Sequence, residues 1–349
     1  MPEFVQGTCE EMCPEQEVKL RTKERLLHFY ECKPGQKNVP GILVKSFSRS
    51  AAGIKIPRKK DLRTQRSLNK TVEYLLKEIT LDKRRPFNYV YDFVFDRLRA
   101  IRQEIVMQNY DAKATIRLLE PMIMFLAYSR YRLCEESVDN FDPKICEQHL
   151  QECLKRVLCC YDEIHAESGF DKMNLSEIRS RNFIESIYQL FNLGSIEALK
   201  RSAHLPAEIK TDPVFAGVYS IALNHFQGNF YKVLQGIARL PHILCAIASL
   251  KLQIIRRQVF LIFASAYSSK QLLLPVEWLR KLLLYSNKID VAEDCKYFEL
   301  EYFSEKEAIR FYKSDFKNEN VAIKQKHEAF VEEKLKKIYL PEILLLKKL

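Results

Sequence analysis

The chain has 349 residues, 47% of them hydrophobic and 29% charged, with a formal net charge of +11. This excludes an intrinsically disordered chain, and the length fits one extended repeat array or two small domains better than one ordinary bundle. Only 9 residues are glycine, which argues against folds that cradle a cofactor on Gly-rich turns. The sequence contains no G-x-G-x-x-G, P-loop, G-x-S-x-G or H-E-x-x-H motif.

Residues 1–66 read as an irregular arm, with Pro2, Pro14, Pro34, Pro40 and Pro57 and the glycines Gly7, Gly35, Gly41 and Gly53. One helix is predicted within it, from about Pro14 to Tyr30. Pro14 suits a first helical turn, Glu15 and Glu17 complement the N-terminal dipole, and Lys33-Pro34-Gly35 stops the run. From Leu68 the pattern is almost continuously helical. Val90, Val94, Leu98, Ile101 and Ile105 share one face. Asp111–Leu133 repeats the pattern, with Pro121 as a kink or boundary. Pro143 opens another helix behind Asp142 as N-cap. Further helices are predicted near 174–193, 195–203, 213–226, 229–239 and 242–267. Short turns between amphipathic helices predict a bundle or an α-solenoid. Near residue 274 the character changes. One more helix is expected over Leu274–Tyr285, then strands over Cys295–Leu300 and Ala308–Tyr312 about the acidic turn Glu301–Glu307. Three helices followed by a hairpin is a winged-helix order. Asn320–Lys337 reads as helix, followed by the apolar Ile338–Leu346.

Charge and cysteines add context. Residues 1–110 hold 22 basic and 14 acidic residues, a net of +8 of the total +11. The chain opens Met1-Pro2-Glu3 with no signal peptide pattern, so its ten cysteines are expected to be reduced, buried thiols of a cytosolic or nuclear protein. No stretch has the character of a membrane span.

Gly7-Thr8-Cys9-Glu10-Glu11-Met12-Cys13-Pro14, followed by Glu17, Arg21 and Leu27, resembles the opening motif of the Sac-three/GANP family of mRNA-export scaffolds. Val44–Gly53 with Arg49, Asp61-Leu62-Arg63 with Thr71 and Tyr74, and Asp92–Gln103 with Asp96, Arg97, Arg99 and Arg102 resemble three further blocks of that family, in the same order. The resemblance implies an all-α helical array of the PCI type, capped by a winged-helix subdomain with a small β-hairpin. The implied layout is the arm (1–66), a helical array (67–240), a winged-helix part (241–316) and a charged C-terminal tail (317–349). It implies a non-enzymatic nuclear scaffold, present also in the cytoplasm, without cofactor. Such a scaffold pairs with a second PCI subunit, which a small acidic proteasome-lid-type peptide supports. The length is similar to that of the short single-domain animal members, which the family associates with centrosome and spindle. The alternative function is therefore an adaptor of centrosome duplication, spindle assembly and mitotic progression without an RNA role. Gly7, Cys9, Met12, Cys13, Pro14, Arg49, Asp96, Arg97, Arg99 and Arg102 carry the family motifs, with a structural role.

Several groups of residues are candidate sites. Lys55, Arg58, Lys59, Lys60, Arg63 and Arg66 form a basic run that either holds nucleic-acid phosphates or is a solvated arm. Lys83, Arg84 and Arg85, ahead of Pro86, are a second such cluster. Cys9-x3-Cys13 and His28-x3-Cys32 approximate a zinc spacing. A helix over 14–30 would separate Cys13 and His28 by roughly 20 Å, so no metal is expected. Asp96 can reach Arg99 at i,i+3 as part of a structural ion network. Phenylalanines and tyrosines at helical spacing read as core and not as base-stacking platforms. Tyr297, Phe298 and Phe311 are candidates for partner contact. The surrounding 290–307 stretch has a local net charge of −5, which repels phosphate and suits either a basic partner or plain solvation.

Overall fold

The computed structural model describes residues 4–48, 57–168, 173–312 and 325–347. Arg49 and Lys55 lie outside the described residues. The chain divides into two compact units. The first comprises Met1–Ser129, Ser137–Glu177 and Tyr339–Leu349, and the second Arg130–Glu136 and Ile178–Ile338.

The first unit opens with α1 (Glu15–Lys23), which ends seven residues before the predicted Tyr30. Arg25 takes a left-handed conformation (φ 57°), and the Leu26 N–H bonds back to the Arg21 carbonyl at 2.8 Å, which closes the helix. A short 3-10 turn, Phe29–Glu31, follows. Then come α2 (Gln65–Lys77), capped by the Thr64 hydroxyl, and α3 (Phe87–Met107) behind Pro86. α4 (Ala112–Arg132) carries Pro121 inside it without ending. α5 (Pro143–Ser168) starts where Asp142 Oδ1 accepts the Lys144 N–H at 2.8 Å. The face of α3 predicted from periodicity is the buried one: Val90, Val94, Leu98, Ile101 and Ile105 are each at most 5% exposed.

The second unit is built from successive helices, α6 (Leu175–Phe191), α7 (Ile196–His204), α8 (Ala207–Lys210), α9 (Pro213–Phe226), α10 (Phe230–Arg239), α11 (His242–Ser249) and α12 (Leu252–Ala266). Ser195, Asp212 and Asn229 cap α7, α9 and α10 with their side chains. α9 and α10 meet at Gly236, where a Cβ would lie 2.5 Å from Ile221 Cγ1. The helix predicted over 242–267 is two helices. At Leu250 and Lys251 the hydrogen bonds shorten to i→i−3, onto Ile247 and Ala248, and the ladder is interrupted.

After α12 the order is β1 (Leu274–Pro275), α13 (Val276–Leu282), α14 (Lys288–Tyr297), β2 (Glu301–Phe303) and β3 (Ala308–Arg310). The strands form one antiparallel sheet in the order β1-β3-β2, with Ile309 opposite both Leu274 and Tyr302. The sheet has three strands where a two-stranded hairpin was expected. The expected strand 295–300 is displaced: Cys295–Tyr297 finish α14, Glu299 turns with φ 56°, and the strand begins at Glu301. α15 (Ala329–Leu335) closes the second unit against α11, and α16 (Leu340–Leu344) returns to the first unit beside α2. The helix expected over 320–337 is thus limited to α15 among the described residues. The fold is mostly helical with a small antiparallel sheet, as expected.

Candidate nucleic-acid interface

Two buried carboxylates, Glu31 and Glu104, fasten the arm to α3. Glu31 is fully buried. It pairs with Arg21, and with Arg97 at 3.1 Å, and accepts the N–H groups of Val44 and His28, each at 3.1 Å. Burial alone would raise this carboxyl, but Arg97 and Arg21 beside it hold it below its ordinary range. Glu104 accepts the Arg63 main-chain N–H at 2.7 Å and Nε at 3.1 Å, and pairs with Lys45 at 2.8 Å. Arg63 also donates to the Met12 carbonyl at 3.3 Å. The chain around Cys9 lies alongside this segment: Cys9 N–H donates to Leu62 O at 3.0 Å and Thr64 N–H to Cys9 O at 2.9 Å. Gly7 allows that approach, because a Cβ there would stand 2.5 Å from Leu62 O.

Further along α3, Asp96 pairs with Arg97 and accepts the Phe47 N–H at 3.2 Å. The expected Asp96–Arg99 pair is replaced by this contact. Arg99 lies over the Phe47 ring at 3.9 Å, and Arg102 pairs with Glu152 at 2.8 Å. Asp96, Arg97, Arg99 and Arg102 are thus each engaged in contacts within the first unit.

The same anchoring presents a basic patch. Glu31 fixes the 3-10 turn 29–31, and His28 and Tyr30 pack on Phe93 at 4.6 and 5.5 Å between ring centres. Phe29 is left 40% exposed at the start of α3, near Tyr89, which is 50% exposed. Arg84 and Arg85 both lie over the Phe29 ring at 4.9 Å, and Arg85 is also 5.8 Å from the centre of Tyr89. Asp82 binds Arg84 through Nε at 2.8 Å and Nη2 at 2.6 Å. Among the described residues no carboxylate pairs with Lys83 or Arg85, and both are exposed. Here cations and aromatic faces are interleaved.

The Lys55–Arg66 run is less uniform. Arg63 is fully buried and committed to Glu104, so it cannot meet phosphate, and the sequence expectation for it is corrected. Arg58 is paired with Asp61 at 2.6 Å. Lys59, Lys60 and Arg66 are exposed. Lys60 borders a groove of about 1080 Å³ that Glu10, Glu11, Glu15, Glu73 and Glu78 also line, a mixed field unsuited to a polyanion.

The sequence model of the SAC3/GANP family matches residues 12–304. This chain belongs to that family. Curated relatives include Protein xmas of Drosophila melanogaster, 30% identical over 240 residues, which are 67% of this chain and 11% of that protein. SAC3 family protein B of Arabidopsis thaliana is 29% identical over 51% of this chain and 11% of its own length. SAC3 family protein 1 of Schizosaccharomyces pombe is 28% identical over 59% of this chain and 19% of its own length. The chain spans between about a tenth and a fifth of these relatives.

In this SAC3/GANP member the aromatic residues proposed for partner contact divide. Tyr297 is 43% exposed. Phe298 and Phe311 are buried against Phe260, at 5.6 and 5.8 Å. They are core residues, so the expectation of partner contact is corrected for both. Among the exposed apolar residues is a stripe on α12, Ile254, Leu261 and Ile262, with Trp278 stacked on Phe263 at 5.8 Å near its end. The acidity of the 290–307 stretch is partly matched. Lys288 pairs with Glu307 at 2.6 Å, Lys326 with Asp290 at 3.1 Å, and Arg310 with Glu301.

The four zinc candidates have other engagements. Cys9 Sγ donates to Glu11 O at 3.4 Å. Burial and the Glu17 carboxylate push the Cys13 thiol up to about 12. His28 is stacked on Phe93, and Cys32 forms a main-chain bridge with Pro40. Among the described residues no three His, Cys, Asp or Glu side chains gather as a metal site. No described helix is long and apolar enough to cross a membrane.

Sequence reasoning missed Glu31, Glu104, Phe29 and Tyr89. The two carboxylates answer arginines 66 and 41 residues away in sequence, and no local pattern marks such pairs. For Tyr89 the signal was present: it directly precedes Val90, the first residue of the buried stripe, and so lies off that face.

Proposed function

We propose that this chain is a non-enzymatic scaffold of the mRNA-export type, acting in the nucleus. Family membership supports an mRNA-export-related scaffold role at the level of the family. The finer reading assigns RNA contact to the first unit and pairing with a second PCI subunit to the second unit. The single observation that carries it is the patch of Lys83 and Arg85, charged, exposed and unmatched by carboxylates beside two exposed aromatic rings. Such a surface neutralises phosphate and favours a salt-dependent association. The partner surface is the α12 stripe with Trp278, apolar and exposed, as the anchors of interfaces are. The acidic peptide belongs to the same reading as a component of the partner subunit.

The test is affinity purification of the full chain beside two variants. Lys83→Glu with Arg85→Glu should reduce RNA recovery about ten-fold at low salt and leave protein partners bound. Leu261→Asp with Ile262→Asp should release a PCI subunit and leave RNA bound. Recovery of centrosomal proteins, with neither RNA nor a PCI subunit, would overturn this reading in favour of the centrosome and spindle alternative.

A further inference from the structure

We propose that the patch at the start of α3 takes single-stranded RNA, stacking an unpaired base on Tyr89 while the flanking phosphates meet Lys83 and Arg85. The inference rests on the RNA reading above and adds the class of RNA.

Four observations carry it. Tyr89 is 50% exposed, whereas its neighbour Val90 is 1% exposed, so the rotation of α3 aims the phenol ring outward. The Arg85 guanidinium stands 4.9 Å from the Phe29 ring centre and 5.8 Å from that of Tyr89, held between two aromatic rings by cation–π attraction. Asp82, the neighbouring carboxylate, is occupied by Arg84, which leaves the charges of Lys83 and Arg85 for an incoming anion. Phe29 is fixed in advance, because its turn is tied through Glu31 to Arg97 at 3.1 Å. A pre-positioned platform loses little freedom on binding.

A phosphate-only surface needs cations and no rings. Exposed rings interleaved with uncommitted cations match the requirements of an unpaired strand, whose bases each offer a π-face to an aromatic side chain. A duplex hides those faces within its own stack, and the deep, narrow major groove of A-form RNA keeps side chains from its bases. The patch therefore distinguishes single strands from duplexes without reading sequence.

The experiment is fluorescence anisotropy with the full chain at fixed, low salt. The probes are a single-stranded RNA of about ten nucleotides, within the span such sites cover, and the same RNA annealed to its complement. The single strand should bind more tightly. Tyr89→Ala should weaken single-strand binding about ten-fold, consistent with the loss of one stacked base, and leave duplex binding unchanged. Tyr89→Phe, which keeps the ring, should bind like the parent. A 2-aminopurine placed in the strand should be quenched on binding to the parent and less so with Tyr89→Ala. Equal affinity for strand and duplex, or a Tyr89→Ala variant that binds like the parent, overturns the inference while the RNA reading stands. Absence of binding to either probe overturns both. Circular dichroism of each variant shows that the fold is retained, as expected for an exposed position.

Discussion

Glu31 concentrates the chemistry of the arm in one side chain. It is fully buried, accepts two main-chain N–H groups and meets two guanidiniums. Its removal deprives the buried Arg21 and Arg97 of the partner they share, with only Glu17, 3.4 Å from Arg21, and Asp96, beside Arg97, left as counter-charges. Breaking a buried pair from one side costs about 3–5 kcal/mol. Glu31→Ala should therefore lose about that much stability in urea unfolding, whereas Glu15→Ala, which breaks an exposed pair with Lys19, should be nearly neutral. Similar losses for both would mean that the Glu31 site is more hydrated than its burial indicates.

At the scale of elements, the arm behaves as part of the α3 layer. It has one short helix of its own, and its remaining order comes from main-chain bonds to residues 59–64 and side-chain bonds to α3. Gly7 is the tightest point of that contact. Because a Cβ would press on main-chain oxygens, Gly7→Ala cannot be absorbed by a side-chain rotation. It should cost about 1–3 kcal/mol and expose the peptide bonds before residue 14 to limited proteolysis, with α4 and α5 still resistant. If cleavage spreads evenly over the chain, the arm and the helices unfold as one.

Across the whole molecule, stability against pH follows from groups whose affinity for protons changes on folding. Glu31 is held below its ordinary value in the folded chain. Its contribution is complete above the unfolded carboxyl value and is lost as pH falls through the lower, folded one. Glu120 has the opposite sign. Burial pushes it up to about 7, although Tyr161 donates to it at 2.5 Å. The unfolded chain releases this proton from about pH 4.3 upward, while the folded chain retains it until about pH 7. Stability therefore falls across that interval and levels off above it. Glu120→Gln should raise stability by roughly 3 kcal/mol at pH 8 and change it little at pH 4.5. Equal effects at both pH values would locate the gain in packing instead of ionisation.

The helical body was legible because 3.6-residue periodicity survives in α3, α9 and α10. The helix ends were not. Arg25 and Leu250 stop or break helices by main-chain geometry at residues with no special propensity. Arg63 read as a phosphate ligand because a run of cations looks alike whether it faces water or a carboxylate from another helix. Phe298 and Phe311 read as contact residues because a short aromatic segment does not reveal which ring faces inward. The basic patch was half legible: Lys83–Arg85 stood out as charge, whereas Phe29 joined it only through a turn fixed from 66 residues away in sequence.

The anchoring of the arm also has a kinetic side. Gly7 donates its N–H to Gln108 at 2.8 Å, and Gln108 donates to Arg63 O at 3.0 Å, so a residue of the arm bonds to one about a hundred positions later in the chain. At translation rates of roughly 5–20 residues per second, the arm waits roughly 5–20 seconds for its partners. During that interval Cys9, Cys13 and Cys32 are accessible to solvent and oxidants, although the finished fold half-buries or buries them. Chaperone occupancy and thiol oxidation on the ribosome should therefore be concentrated in the first third of the chain and end once α3 has emerged.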